Sequence, residues 1–190
     1  MKVIAINGSP RKNGNTFLSL NRVLDELKAE GLETELLQLG GKNVRGCIAC
    51  YKCMEKKDRK CHGPKDDMNE FITKIDGADG VLIGSPTYFA SVSTEVKALI
   101  DRLGLVAIAN DRMLSRKVGA AVVAVRRQGA VQVFNQINML FFINNMIVPG
   151  STYWNLAVGR DPGEVLKDEE GMNTMANLGK NMAWLMKKIG

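Results

Sequence analysis

The sequence predicts a doubly wound α/β domain: a five-stranded parallel sheet with helices on both faces. Three observations carry this. Short apolar runs alternate with helix-period stretches five times along the chain. The runs are apolar at successive positions, the pattern of strands buried on both faces rather than one. No repeat of about 20–50 residues is visible, and no Pro/Ser/Gly-rich linker divides the 190 residues, so one domain over 1–190 is expected.

Each element follows in order. Lys2 to Ile6 is a buried-strand pattern ending at Gly8-Ser9-Pro10. Thr16 to Lys28 places Phe17, Leu20, Val23, Leu24 and Leu27 on one helical face, and Gly31 stops the helix. Glu33 to Leu39 is the next strand. Asp66 or Asp67 can cap a helix carrying Met68, Phe71, Ile72 and Ile75, closed by Gly77. Gly80 to Gly84 is the third strand, followed by a helix from about Thr94 to Arg102. Lys117 to Val125 is the fourth, with a helix from about Val131 to Asn144. Met146 to Pro149 supplies a short fifth strand, and Asp168 to Lys188 a long last helix.

Composition narrows the class. Apolar residues make up 45% and charged residues 24%, which excludes disordered, collagen-like and coiled-coil chains. Apolar stretches such as Met139 to Ile143 fall far short of the roughly 20 residues of a membrane helix. The opening Met-Lys-Val-Ile-Ala-Ile-Asn-Gly is too short an apolar run for a signal peptide and no small-residue cleavage site follows, so a soluble cytoplasmic protein is expected. The net charge of +6 is local: residues 42–65 hold eight Lys/Arg and two acids, and the rest of the chain balances. All four cysteines lie in the same window. A thiol-dense basic segment differs from a nucleic-acid face, which spreads Lys/Arg along a helix among base-reading side chains.

In such a sheet, ligands bind beyond the carboxyl ends of the strands. The loop after the first strand reads Asn7-Gly8-Ser9-Pro10-Arg11-Lys12-Asn13-Gly14-Asn15-Thr16. Backbone N–H groups at a helix N-terminus, side-chain donors on Ser9, Asn15 and Thr16, and the charge of Arg11 suit a phosphate. A polar connection with an N-cap at Asn15 or Thr16 would read the same way. The pattern is neither a Walker loop nor Gly-x-Gly-x-x-Gly. After the third strand comes Ser85-Pro86-Thr87-Tyr88-Phe89-Ala90, whose aromatic pair and backbone edge suit a planar heterocycle.

Taken together, these two loops resemble the NADPH-dependent FMN reductase branch of the flavodoxin-like superfamily, and the likeness runs on through Lys97-Ala98-Leu99-Ile100-Asp101-Arg102. The resemblance implies that Ser9, Arg11, Asn13, Asn15 and Thr16 hold the FMN phosphate and that Pro86, Thr87, Tyr88 and Phe89 border the isoalloxazine. A third loop, with Val125, Arg126, Arg127 and Gly129, would complete the flavin edge. Its two arginines depart from the Gly-rich version in some relatives; they suit an anionic reduced flavin, a nicotinamide cofactor's phosphate, or salt bridges at the sheet end.

Cys47-x2-Cys50-x2-Cys53-x7-Cys61 is the most specific pattern in the chain. Four cysteines so close in a cytoplasmic protein argue for metal rather than structural disulfides. Zinc with four thiolates usually takes two separated Cys-x2-Cys pairs, whereas a compact triplet plus one is how ferredoxin-type runs wrap a cubane. Redox-active free thiols and zinc stay open beside a [4Fe–4S] cluster. The spacing and its place after the second strand also resemble the iron-sulfur flavoproteins of the same superfamily. That resemblance implies a [4Fe–4S] cluster passing electrons to FMN, the flavin of a neighbouring subunit in those proteins, hence a homodimer or homotetramer.

The remaining signals are weaker. His62, beside Cys61, reads as an exposed loop residue, and the ten methionines as packing. Tyr153 and Trp154 are placed to cover the flavin or a partner subunit. The expected function is an FMN-dependent oxidoreductase in which the flavin carries the chemistry and no side chain acts as acid, base or nucleophile. With a cluster, a ferredoxin-like or small-molecule electron partner is implied; without one, NAD(P)H-dependent reduction of flavin or quinone. A non-enzymatic redox or metal sensor, with salt-sensitive nucleic-acid contacts through Lys56, Lys57, Arg59 and Lys60, leaves the flavin loops unexplained.

Overall fold

A computed structural model describes residues 1–190. Five strands form the sheet: β1 (Lys2–Asn7), β2 (Glu33–Gln38), β3 (Gly80–Pro86), β4 (Val118–Val125) and β5 (Leu156–Val158). Six helices connect them: α1 (Asn15–Ala29), α2 (Lys52–Lys56), α3 (Met68–Asp76), α4 (Thr94–Ala109), α5 (Ala130–Ile143) and α6 (Glu169–Ile189), with a 3-10 turn at Glu164–Lys167. All strand pairs are parallel in the order β2-β1-β3-β4-β5. That is the flavodoxin-like order, whose winding reverses between β1 and β3. No helix is long and apolar enough to cross a membrane.

Strand side chains alternate between two cores. Val3, Ala5, Leu82, Ala120 and Val122 face α1 and α6, where Leu20, Val23, Leu24, Met175, Leu178 and Met182 pack. Ile4, Ile6, Val81, Ile83, Ala121 and Val123 face α3, α4 and α5. Because both faces are covered, the strands read as continuous apolar runs. The helix starts follow their caps. Ser93 Oγ accepts from Val96 N at 3.4 Å, and Asp168 accepts from Gly171 N at 3.0 Å and Val158 N at 2.6 Å. At α3 it is Asp66 that accepts from Met68 N, at 3.1 Å.

Two predicted elements differ. The α4 helix continues to Ala109, beyond Arg102, since no proline intervenes and Gly104 lets Leu140 of α5 pack closely. The fifth strand is not Met146–Pro149: there only Ile147 bridges to Val118, and β5 lies at Leu156–Val158. Pro149 has no N–H for the ladder. The chain leaves the sheet through Ser151–Asn155 and returns for three residues.

Candidate functional site

The β1 and β3 loops are built against each other. Gly8 N donates to Gly84 O at 2.8 Å, and Ser93 Oγ donates to Gly8 O at 2.8 Å. A Cβ on Gly8 would lie 2.1 Å from Val96 Cγ2, so only glycine allows this approach. Behind the loop, Asn7 Nδ2 donates to Gln38 Oε1 at 2.8 Å, and Gln38 Nε2 donates to Ser9 O at 2.7 Å. The loop is thereby held in shape by β2 before any ligand arrives.

Between the loops lies a cavity of about 310 Å3, walled by Ser9, Arg11, Asn15, Thr16, Pro86, Thr87, Tyr88, Ala124, Val125, Arg126, Gly159 and Arg160. Three arginines and no carboxylate line it. No side chain caps α1 and no acid sits in its first turn, so the free N–H groups there remain for an anion. None of the three arginines is in an ion pair among the protein's salt bridges. The wall is preorganised for a phosphate monoester.

Of the residues expected here, nine are on that wall and four are not. Asn13 is exposed at the outer turn of the first loop. Phe89 is fully exposed at the tip of a two-residue turn, in which Tyr88 and Ser91 exchange backbone hydrogen bonds of 2.9 Å. Arg127 is exposed and does not line the wall, and Gly129, at φ +89°, packs on Ala90. Asn15 is on the wall, but its amide is committed: Nδ2 donates to Asp161 O at 3.0 Å and Oδ1 accepts from Gly163 N at 2.9 Å. Gly159 and Arg160 lie outside the sequence expectation because the apolar run at Met146–Pro149 predicts the fifth strand ten residues before its observed place. The signal was present in Leu156-Ala157-Val158-Gly159, an apolar triplet ending at glycine.

The cysteine segment folds onto α4. Cys47, Cys50, Cys53 and Cys61 border one small crevice of about 10 Å3, with Ile48, Tyr51, Leu105 and Val106 as its apolar wall. Cys53 is buried on α2, and burial pushes its thiol up. No group of three side chains converges closely enough to hold a metal ion. Ala49, Tyr51, Lys57 and Arg59 adopt left-handed backbone at φ 46–62°, at a cost of about 1 kcal/mol each. The segment is pinned by Arg102 and Asp66, whose side chains are 0% and 6% exposed and 2.7 Å apart. Burial alone would push Asp66 up, but the guanidinium and the N–H groups of Arg45 and Met68 outweigh it and hold the carboxyl below its ordinary range.

The profile of a family described as NADPH-dependent FMN reductase matches residues 1–161. The chain belongs to this family. Within it, an iron-sulfur flavoprotein of Methanocaldococcus jannaschii is 40% identical over 196 residues, covering 100% of this chain and 99% of the relative. A second iron-sulfur flavoprotein of that organism is 34% identical, covering 92% and 91%. A flavodoxin, WrbA-like protein from Agrobacterium tumefaciens superposes with a TM-score of 0.68 at 12% identity, over 100% and 98% of the two chains, which shows the shared fold. As a member of the FMN reductase family with iron-sulfur flavoprotein relatives, the protein is an FMN-dependent oxidoreductase. The chemistry of the cavity fits that cofactor: it combines an uncapped helix start, three arginines and no acid with the Pro86–Tyr88 edge.

Proposed function

We propose that this FMN reductase family member transfers single electrons between a ferredoxin-like partner and FMN, with Cys47, Cys50, Cys53 and Cys61 as ligands of a [4Fe–4S] cluster. The observation that carries this reading is that all four cysteines line one crevice, on a strained loop anchored by a buried ion pair. The donor set fits such a cluster in kind, and the surrounding cations offset its negative charge. Bound FMN exchanges electrons singly or in pairs, which lets it join one-electron and two-electron partners. Ser9, Arg11, Thr16 and the first turn of α1 are assigned to its phosphate, with Asn15 as a strut. Pro86, Thr87, Tyr88, Val125 and Arg126 are assigned to the ring. There Arg126 places a fixed positive charge beside a ring whose charge becomes more negative on reduction.

The exposed Lys52, Lys56, Lys57 and Lys60 lie in the same segment as the cysteines and would steer an acidic partner to it. Exposed Met139, Phe142, Ile143 and Trp154 support assembly into a homo-oligomer. A second reading, NAD(P)H-dependent reduction of flavin or quinone without a cluster, is favoured by the narrowness of the crevice and by a groove beside the flavin cavity. Arg126, Arg160 and Lys167 line that groove together with Glu164 and Asp168, whose carboxylates are already bonded to backbone N–H groups.

The deciding experiment takes anaerobically purified protein and measures the absorption spectrum with flavin, iron, sulfide and zinc on one sample. About four irons and four sulfides per chain with FMN support the electron-transfer reading. FMN without iron, after anaerobic reconstitution has been attempted, leaves the cluster-free reductase.

A further inference from the structure

The four cysteines are not equivalent. Cys61 receives a hydrogen bond from a charged side chain: Arg102 Nε donates to its Sγ at 3.2 Å. The other contacts on Cys47 and Cys53 come from backbone, such as Ala49 N to Cys47 Sγ at 3.4 Å. Arg102 lies on α4 with its side chain wholly buried. It also donates Nη1 to Asp66 at 2.7 and 2.8 Å and to Arg45 O at 3.0 Å, and Nη2 to Pro64 O at 3.2 Å. One planar group therefore holds both ends of the segment that carries the cysteines, and its remaining edge meets one sulfur. An ion pair with Asp66 alone would not need this geometry; a lysine could make it.

We propose that Arg102 is a positioning residue for the cysteine site: it orients Cys61 for ligation and raises the reduction potential of the bound cluster. The proposal rests on the reading of the four cysteines as cluster ligands. An N–H donor on a ligand sulfur draws electron density from it and so favours the more negative, reduced state. Because Asp66 balances the guanidinium's charge, this Nε–H is the part of Arg102 that acts on the sulfur, and the low dielectric around a fully buried group strengthens it.

The test uses full-length protein reconstituted anaerobically. Arg102→Lys keeps a positive charge for Asp66 but lacks the fixed Nε–H. The pair Arg102→Gln with Asp66→Asn removes both buried charges together, so that no carboxylate is stranded. Iron and FMN content, the thermal midpoint and a redox titration followed by electron paramagnetic resonance are read on each. The expected result is normal FMN content and a shift of about tenfold toward the oxidised form, which is about 59 mV for one electron. A variant that folds and binds FMN but cannot retain iron also supports the proposal, because Cys61 has lost its anchor. Wild-type potentials in both loaded variants overturn it. Wild-type protein that takes up no iron overturns the underlying reading instead, and this is seen before any variant is compared.

Discussion

Asn15 lines the cavity while its amide is bonded to another part of the chain. Its type and place at a helix start are those of a phosphate donor, yet its amide ties α1 to the Asp161–Gly163 loop. Asn15→Ala should cost about 1 kcal/mol of stability per hydrogen bond lost, and it should release the loop that carries Arg160. Chemical denaturation and an FMN titration on the same variant check both effects. Arg11→Ala and Arg126→Ala act directly on the charge of the wall; each is expected to weaken FMN binding by about 10- to 100-fold without moving the denaturation midpoint of the apo-protein. Asp66 adds a pH dependence. Its carboxyl is held below the ordinary range in the fold, so its stabilisation is present above the unfolded carboxylate value of about 4 and is lost as pH falls through the lower folded one. Thermal midpoints taken down from pH 6 should fall in that acid window, and Asp66→Asn should flatten the fall.

At the level of elements, the turn at Phe89-Ala90 breaks the local rules. Both residues have positive φ, 48° and 58°, where a two-residue hairpin turn favours Asn-Gly. Replacing them with Asn-Gly is expected to stabilise the protein by about 1 kcal/mol; a fall in electron transfer in that variant would mean that the exposed Phe89 ring serves the reaction. This turn also explains a limit of sequence reading. Periodicity locates elements whose apolar residues face a core, as in α1, α3 and β4, and there the expected bounds lie within two residues of those observed. It says nothing of a side chain such as Phe89, which packs on nothing. It also misplaced the fifth strand, because Met146-Ile147-Val148 is as apolar as Leu156-Ala157-Val158 and only tertiary pairing separates them. The cysteine spacing was legible because the residue type is chemically committed. The role of Arg102 was not, since in sequence it is one more cation on a helix.

For the whole molecule, the distribution of charge and the two covered sheet faces decide behaviour. The excess positive charge sits on the segment around the cysteines while the rest balances. Electron exchange with an acidic protein should therefore slow as ionic strength rises, and more steeply at low salt. Lys56→Glu with Lys57→Glu and Lys60→Glu should slow it at least tenfold at low salt and remove most of the salt dependence. Stopped-flow traces with an acidic and a basic donor protein check this, FMN content being unchanged.

The interrupted fifth strand has a consequence for how copies meet. On that side the sheet ends in three paired residues and one isolated bridge, with Pro149 between them. On the other side β2 carries Glu33 and Glu35, both bound to Lys2. The first rim is short and interrupted, and the open edge of the six-residue β2 is flanked by charged side chains, so neither invites the addition of a foreign strand. Copies are expected to associate by helix and side-chain surfaces instead, where an isologous contact closes on itself. Concentrated solutions should show a fixed particle mass by light scattering, without growth into ribbons.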